Sequence, residues 1–201
     1  MPPSTPGSDV VAQKKELRDQ AHARRNAQEN KDELSRHIVA RFMSLPEYQS
    51  AKTVLFYVDV RSEVRTRHSL DAALQSGKKI AVPWCTQAVE LALFHLESME
   101  ELAIGMYQIL EPLPQLRLLP EKQVDPQELD LVMVPGVAFD RRCARMGHGK
   151  GYYDKLLENA RPGTPLVALA FECQLFPEIP VAPHDVFMDR IITEQAIYSK
   201  A

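Results

Sequence analysis

The chain has 201 residues, of which 45% are hydrophobic, and its 24 basic and 27 acidic side chains give a net charge of −3. This length suits one α/β domain with extensions, and the near-neutral charge excludes a general attraction to nucleic acid. The three cysteines lie far apart without a C-x-x-C pair, which argues against a disulfide framework. Because the sequence shows no 18-residue apolar run and no leader pattern, we expect a soluble cytoplasmic protein without membrane contact.

The amino-terminal half predicts a short arm followed by helices and strands. Residues 1–9 are rich in Pro, Ser and Gly, which predicts a disordered arm before a single domain over residues 10–201. This domain opens with a run of good helix formers. A second helix is expected to start near Asn30, with Glu33 at capping-box spacing, and to end at Pro46. The elements predicted next are strands over 53–60, 78–84 and 90–96, and a helix over 67–77 closed by Gly77.

The carboxyl-terminal half carries the clearest strand signals. The apolar run 129–136 predicts a buried strand, and two further strands are expected at 164–171 and 190–194. Residues 150–160 predict a helix, whereas residues 111–128 contain four prolines and predict an irregular connection. Strands that alternate with helices favour an α/β fold with a mainly parallel sheet covered on both faces.

The stretch ARMGHGKGYYDKLL, residues 144–157, carries the strongest functional signal. Its alternating glycines, Gly147, Gly149 and Gly151, lie between a buried strand and a helix. Glycines let backbone N–H groups approach an anion, and a helix start adds unpaired N–H groups. The flanking cations are Arg145 and Lys150. The spacing matches neither a Walker A loop nor a G-x-G-x-x-G fingerprint, which leaves a phosphate cradle of another kind or an ordinary surface loop.

A longer stretch, VPGVAFDRRCARMGHGKGYYDKLL, resembles the signature of the 5-formyltetrahydrofolate cyclo-ligase family. Three further segments resemble that family in the same order, namely KKELR (14–18), SEVRT (62–66) and HDVFMD (184–189). Cys143 departs from the signature, because the family usually has glycine at this position, and a turn with positive φ would strain a cysteine. Residues 86–128 match no pattern of the family.

The resemblance implies a fold and an activity. The expected fold is a Rossmann-like three-layer α/β sandwich with a mainly parallel sheet, shared with certain sugar-phosphate isomerases and CoA transferases. The expected reaction converts 5-formyltetrahydrofolate and ATP to 5,10-methenyltetrahydrofolate, ADP and phosphate, with Mg²⁺ as cofactor. The implied partners are the reduced folate and ATP, with no nucleic acid and no membrane, and the expected state is a monomer.

The resemblance also implies roles for particular side chains. Asp154 and Asp189 are the expected Mg²⁺ ligands, with Asp185 as a lower-ranked alternative. Since Arg65 stands where the family often has an acid, either Glu63 alone contacts the pterin or the pterin is held differently. The expected ATP-binding residues are Lys14, Arg18, Arg145, Met146, Gly147, His148, Gly149, Lys150, Gly151, Tyr152 and Tyr153, among which Lys150, Tyr152 and Arg145 are expected to be catalytic. The expected folate-binding residues are Val60, Glu63, Arg65, Trp84, His148 and Tyr152.

Other interpretations stay open at the level of the sequence. Lys14 and Arg18 also fit a solvated basic helix face, and Trp84 also fits the core. For the whole protein, the alternatives are a non-catalytic folate- or nucleotide-binding regulator on the same scaffold, and an enzyme acting on a sugar phosphate.

Overall fold

The computed structural model describes residues 8–86, 88, 90–105, 109–182 and 185–200. The helices are α1 (Ser8–Ala27), α2 (Lys31–Ser44), α3 (Pro46–Ser50), α4 (Arg67–Leu74) and α5 (Tyr152–Glu158). The strands are β1 (Thr53–Leu55), β2 (Lys79–Cys85), β3 (Leu91–Leu96), β4 (Leu102–Ile104), β5 (Leu110–Pro112), β6 (Gln123–Val124), β7 (Leu131–Val134), β8 (Ala138–Asp140), β9 (Arg145–Met146), β10 (Leu166–Leu169), β11 (Leu175–Phe176), β12 (Arg190–Ile192) and β13 (Ile197–Ser199).

The largest sheet has eight strands in the order β13-β12-β10-β7-β1-β2-β3-β6. Its centre, from β12 to β2, is parallel, and β13, β3 and β6 pair in the antiparallel sense. Strands β7 and β10 are apolar throughout, since parallel strands with helices on both faces are buried on both sides. This confirms the expected mainly parallel sheet.

Alternate residues of the central strands enter two separate cores, one on each face of the sheet. The first core, which α2 and α4 cover, receives Val54, Ile80, Leu131 and Val167. The second, which α5 covers, receives Leu55, Ala81, Val132 and Ala168. This alternation follows from the two-residue period of a strand, and it confirms the three-layer sandwich.

A smaller sheet, β11-β8-β9, continues from the carboxyl end of β7. Its apolar side chains pack with Ala21 of α1 in a third core that contains Val137, Ala138, Ala144, Met146, Phe176 and Ile179. The amino-terminal helix is thereby fixed next to the segment that leads into the glycine-rich stretch. The sequence analysis missed this sheet, because its strands are short and lie among charged residues.

Several predicted boundaries differ from those in the structure. Helix α1 starts at Ser8, so the expected arm does not include residues 8 and 9, and residues 1–7 lie outside the described residues. The strand expected over 53–60 ends at Leu55. The strand expected at 190–194 ends at Ile192, and β13 follows it as a further strand.

The predicted capping role of Asn30 is wrong. Asn30 precedes α2 but has φ of 52°, in the left-handed region, and its side chain makes no capping hydrogen bond. Asparagine tolerates this conformation better than most residues. The residue therefore serves the turn between α1 and α2 through its backbone.

The proline-rich connection is more regular than expected. It contains strand β6, the end of β5, and two short 3₁₀ helices at Pro120–Lys122 and Pro126–Glu128. Asp125 caps the second of these turns by accepting from the Gln127 amide at 2.9 Å. Within the described part of the chain, no helix is long and apolar enough to cross a bilayer.

Candidate active site

A cleft of about 530 Å³ opens at the carboxyl ends of β1, β2 and β7. Ligands of open α/β sheets bind at this edge, and the volume is typical of a small-molecule site. The lining residues are Lys14, Arg18, Tyr57, Val58, Val60, Glu63, Pro83, Trp84, Cys85, Leu91, Ile109, Glu111, Pro135, residues 145–154 and Asp185.

The glycine-rich loop, residues 147–151, forms one wall of the cleft between β9 and α5. Gly149 and Gly151 have φ of 87° and 69°, so both use backbone conformations that other residues rarely adopt. A Cβ atom at Gly149 would lie 3.3 Å from Nη2 of Arg18, and one at Gly147 would lie 3.0 Å from Nη1 of Arg145. These glycines therefore allow both a tight turn and the close approach of arginines.

Helix α1 supplies cations from the other side of this loop. Nε of Arg18 donates to the carbonyl oxygen of Gly147 at 3.0 Å, and Nζ of Lys14 lies 2.9 Å from Oδ2 of Asp185. Because the two residues are four positions apart, both lie on one face of the helix. The structure brings Lys14 and Arg18 to the cleft.

Arg145 is almost fully buried beneath the loop, with a side chain that is 4% exposed. Its guanidinium pairs with Asp154 and donates to the carbonyl oxygen of Pro135 at 3.4 Å. Nε of Arg145 has no hydrogen-bond partner among the described residues. Because Arg145 lines the cleft, its positive charge can stabilise an anionic ligand there, although its Nε atom is buried.

Glu63 is held in the cleft by the loop that follows β1. The Asp59 carboxylate accepts from the Thr66 amide at 2.9 Å and the Arg67 amide at 3.0 Å, which turns the chain back on itself. Within this turn, Oε2 of Glu63 accepts from the Val60 amide at 3.1 Å, and Oε1 lies 3.5 Å from Nε2 of His148. Only 6% of Glu63 is exposed, so its carboxylate is restrained by its partners.

Side chains at the end of the loop and at the start of α5 also lie at the cleft. Lys150 is exposed, with Nζ 6.0 Å from the ring centroid of Tyr152. The hydroxyl of Tyr153 is buried without a hydrogen-bond partner among the described residues. Burial, reinforced by the charge of Glu63, raises the pKa of Tyr153 well above its usual value, so the phenol keeps its proton.

Another part of the cleft lining is apolar and aromatic. Trp84, Pro83 and Leu91 form this aromatic wall, and Val60 also lines the cleft. The Arg117 guanidinium lies 4.8 Å from the centroid of the Trp84 ring. Trp84 is half-buried, so the structure places it at the surface of the cleft and not inside the core.

The sequence analysis missed Ile109 and Glu111, which lie on this wall next to Trp84. Both belong to the stretch 86–128, for which no resemblance was found. Apolar and polar residues alternate in the sequence around Ile109 and Glu111. This pattern does not indicate that either residue lines a cleft.

Two expected site residues lie elsewhere. Oδ2 of Asp189 accepts from the Leu166 amide at 2.8 Å, where β10 and β12 begin, so Asp189 lies at the edge of the sheet opposite the cleft. Nε of Arg65 lies 3.4 Å from Asp32 of α2, and this side chain points away from the cleft. The expectations of a metal ligand at Asp189 and a folate contact at Arg65 therefore disagree with the structure.

Asp185, the lower-ranked alternative, does line the cleft, where it also accepts from the Ala182 amide at 2.7 Å. Its neighbour in the resembling segment, His184, lies outside the described residues. Among the described residues, no cluster of three or more His, Cys, Asp or Glu side chains could hold a metal ion.

The fold and the cleft define a small α/β enzyme whose cleft lies at the carboxyl edge of a parallel sheet and is lined by a glycine-rich loop and by an aromatic wall. The sequence model of the 5-formyltetrahydrofolate cyclo-ligase family matches residues 10–194. The chain belongs to this family.

Individual relatives agree with this assignment. A probable 5-formyltetrahydrofolate cyclo-ligase of Schizosaccharomyces pombe is 32% identical over 179 residues, which covers 83% of this chain and 86% of the relative. The solved structure of 5,10-methenyltetrahydrofolate synthetase from Aquifex aeolicus superposes with a TM-score of 0.79, at 31% identity and with 92% of each chain covered. A 5,10-methenyltetrahydrofolate synthetase from Mycoplasma pneumoniae has the same fold, with a TM-score of 0.71 at 22% identity over 90% of this chain and 98% of that one.

Proposed function

We propose that this protein converts 5-formyltetrahydrofolate and ATP to 5,10-methenyltetrahydrofolate, ADP and phosphate. The observation that carries the proposal is the shape of the cleft, in which Lys14 and Arg18 meet the glycine-rich loop on one side and Trp84 forms the other wall. One side suits a triphosphate, and the other suits a flat ring system. Membership of the cyclo-ligase family supports the same reaction.

The chemistry explains why both kinds of wall are needed. The formyl group on N5 is an amide, and its resonance makes the carbon a poor electrophile. Transfer of the γ-phosphoryl group to the formyl oxygen breaks the bond to ADP and turns that oxygen into a leaving group. N10 then attacks the carbon and loses its proton to solvent, and the carbon–oxygen bond breaks to release phosphate. The protein contributes alignment of the two substrates and neutralisation of the migrating charge.

We assign the side chains of the cleft to this reaction by their positions. Lys14, Arg18 and the backbone of residues 146–151 hold the triphosphate. Arg145, Lys150 and Tyr152 face the migrating phosphoryl group and the formyl oxygen, with Tyr153 beside them. His148 lies where the two substrates meet. The pterin contacts are Val60, Glu63 and Trp84.

The oxygen donors of the cleft fit a magnesium ion. Mg²⁺ takes one or two protein carboxylates and completes its octahedron with phosphate oxygens and water, so a larger cluster of ligands is unnecessary. Asp154 lies in the first turn of α5 and Asp185 beside Lys14, and both carboxylates line the cleft. We propose that these two residues, and not Asp189, hold the ion, which neutralises phosphate charge when bound.

The test is formation of methenyltetrahydrofolate, followed by its absorbance, with 5-formyltetrahydrofolate, ATP and Mg²⁺ and with each omitted in turn. Lys14→Ala should raise the KM for ATP about tenfold, because a charge-assisted contact contributes about 1.5–3 kcal/mol. Lys15→Ala is the matched control, since exposed Lys15 pairs with Asp19 at 3.0 Å on the same helix. Substrate binding without product would favour a regulator, and equal effects of the two variants would contradict the role of Lys14.

We also propose that residues 10–201 form one domain, in line with the family match over 10–194. The cytoplasmic location and the monomeric state stay predictions, and size-exclusion chromatography of the full chain tests the second of them.

A further inference from the structure

The face of α1 that carries Lys14 and Arg18 continues beyond these two residues. Lys14, Arg18, His22 and Arg25 follow one another at spacings of four, four and three, which places them on one face of the helix. Arg18 donates to Gly147, and Arg25 is 2% exposed and donates to the carbonyl oxygen of Gly136 at 3.3 Å. His22 lies between these two anchors and has no role in the reaction as described so far.

The ring of His22 stacks on the ring of His148. The two centroids are 5.4 Å apart and the planes differ by 28°. His148 stands between Gly147 and Gly149 on the cleft wall, and its flanking residues contribute no side chain that could restrain it. His148 also contacts Glu63, whose Oε1 is 3.5 Å from Nε2 of His148. The His22 ring is therefore the surface against which His148 is held.

His22 is itself held in place, and its surroundings favour the neutral form of the ring. Nη2 of Arg25 lies 3.5 Å from Nδ1 of His22, which favours the tautomer with its proton on Nε2. Burial, and then the charges of Arg25 and His148, lower the pKa of His22 below its ordinary value, and Arg61 acts in the same direction while Asp19 opposes it. A neutral ring can stack on His148 without placing a charge beside it.

We propose that His22 is a positioning residue that holds the imidazole of His148 against Glu63, at the junction of the ATP and folate parts of the cleft. This inference rests on the proposed function, because it assigns His148 a place beside the reacting groups. Helix α1 would then fix the glycine-rich loop twice, through Arg18 at the backbone and through His22 at a side chain.

The first experiment compares His22→Ala, His22→Phe and the control His37→Ala, which removes an exposed histidine of α2. His22→Ala should lower kcat about tenfold and leave the KM for ATP within about twofold, because Lys14 and Arg18 remain in place. His22→Phe keeps a flat ring and should retain most of kcat, and His37→Ala should behave as the wild type. Thermal unfolding of each variant checks that the fold is intact.

A double-mutant cycle then asks whether His22 acts through His148. His148→Ala alone should lower kcat, and adding His22→Ala should cause little further loss, because the two residues act as a unit. The acid limb of the pH–activity profile provides a separate test. Protonation of His22 places a cation against Arg25, Arg61 and His148, so His22→Phe should keep its activity at lower pH than the wild type.

These outcomes separate the inference from the proposed function. An inactive wild type would overturn the cyclo-ligase activity itself. An active wild type would leave the activity standing, and three results would then overturn the role of His22: full kcat in His22→Ala, an equal loss in His22→Phe, or additive losses in the double variant.

Discussion

At the scale of single residues, Asp154 has two functions to reconcile. Its carboxylate pairs with the buried guanidinium of Arg145, and it also faces the cleft where magnesium and phosphate are proposed to bind. Asp154→Asn keeps an oxygen that can accept from Arg145 but removes the negative charge. We expect the Mg²⁺ concentration for half-maximal activity to rise about tenfold, with a loss of about 1 kcal/mol in the free energy of unfolding.

The matched control for this change is Asp189→Asn. Its carboxylate accepts from the Leu166 amide at the far edge of the sheet, so the substitution should leave the magnesium dependence of activity unchanged. Magnesium titrations of turnover, with urea unfolding in parallel, check both expectations. A shift in Asp189→Asn as large as that in Asp154→Asn would restore Asp189 as a ligand and contradict the structural assignment.

At the scale of elements, the proline-rich connection braces the aromatic wall of the cleft. Nε of Arg117 donates to the carbonyl oxygen of Pro112 at 2.7 Å, and Nη2 lies 3.0 Å from Oε2 of Glu111. The same guanidinium lies over the ring of Trp84, with Cζ 4.8 Å from its centroid. One side chain thus ties the connection to β5 and to the end of β2, and it fixes two residues that line the cleft.

Loss of this brace should affect folate and not ATP. Arg117→Ala removes a cation–π contact worth about 0.5–1 kcal/mol together with an ion pair, so we expect the KM for 5-formyltetrahydrofolate to rise about fivefold. The KM for ATP should stay close to that of the wild type, because the glycine-rich loop is unaffected. Steady-state kinetics with each substrate varied in turn measures both values, and Arg36→Ala on the exposed face of α2 is the control. An unchanged folate KM would show that the wall does not depend on Arg117.

The elements also show which features a sequence can predict. The runs LVMV of β7 and LVAL of β10 are apolar because both of their faces are covered, so they were identified with no knowledge of their neighbours. Strands β8 and β9 have two or three residues each and enclose a charged turn, so no periodicity could develop. A strand was therefore predictable where burial makes its residues apolar. It was not predictable where the strand exists only because its backbone pairs with a neighbour.

The same limit applies to the candidate site. The glycines and Arg145 belong to one local motif. Lys14 and Arg18 were identified because the segment KKELR resembles the family, since a shared helix face alone also fits a solvated basic surface. Asp189 is separated from Asp185 by only four positions, yet the chain crosses from the cleft to the opposite edge of the sheet between them. A resemblance in sequence gives the order of residues, and only the fold decides which edge of the sheet each one reaches.

At the scale of the whole molecule, the turn at Cys143 links the cleft to the stability of the fold. Cys143 has φ of 66°, so the turn keeps the left-handed conformation that suits the glycine usual in the family, although a cysteine stands there. Its side chain is fully buried in the second core, with Sγ 3.6 Å from the carbonyl oxygen of Tyr198. The turn thus joins the small sheet beneath the glycine-rich loop to β13 at the edge of the large sheet.

Burial of this thiol predicts a loss of stability in alkali. Burial, with smaller contributions from the charges of Asp140 and Asp189, raises the pKa of Cys143 from 9.0 to about 11. Below pH 9 the thiol is protonated in both states and its contribution is complete. Between pH 9 and about 11 the unfolded chain releases the proton while the folded protein keeps it, so the free energy of unfolding falls as the pH rises.

Cys143→Ser should remove this contribution, because a hydroxyl does not titrate in that range. Urea unfolding at intervals between pH 8 and 11 should therefore show a shallower fall in stability for Cys143→Ser than for the wild type. Some decline should remain, since burial also raises the pKa of Tyr57. Cys85→Ser is the comparison, because burial also raises the pKa of this thiol at the end of β2 but to a smaller extent, so its substitution should change the slope less than Cys143→Ser. Equal slopes for Cys143→Ser and the wild type would mean that the buried thiol ionises as readily in the folded protein as in the unfolded chain.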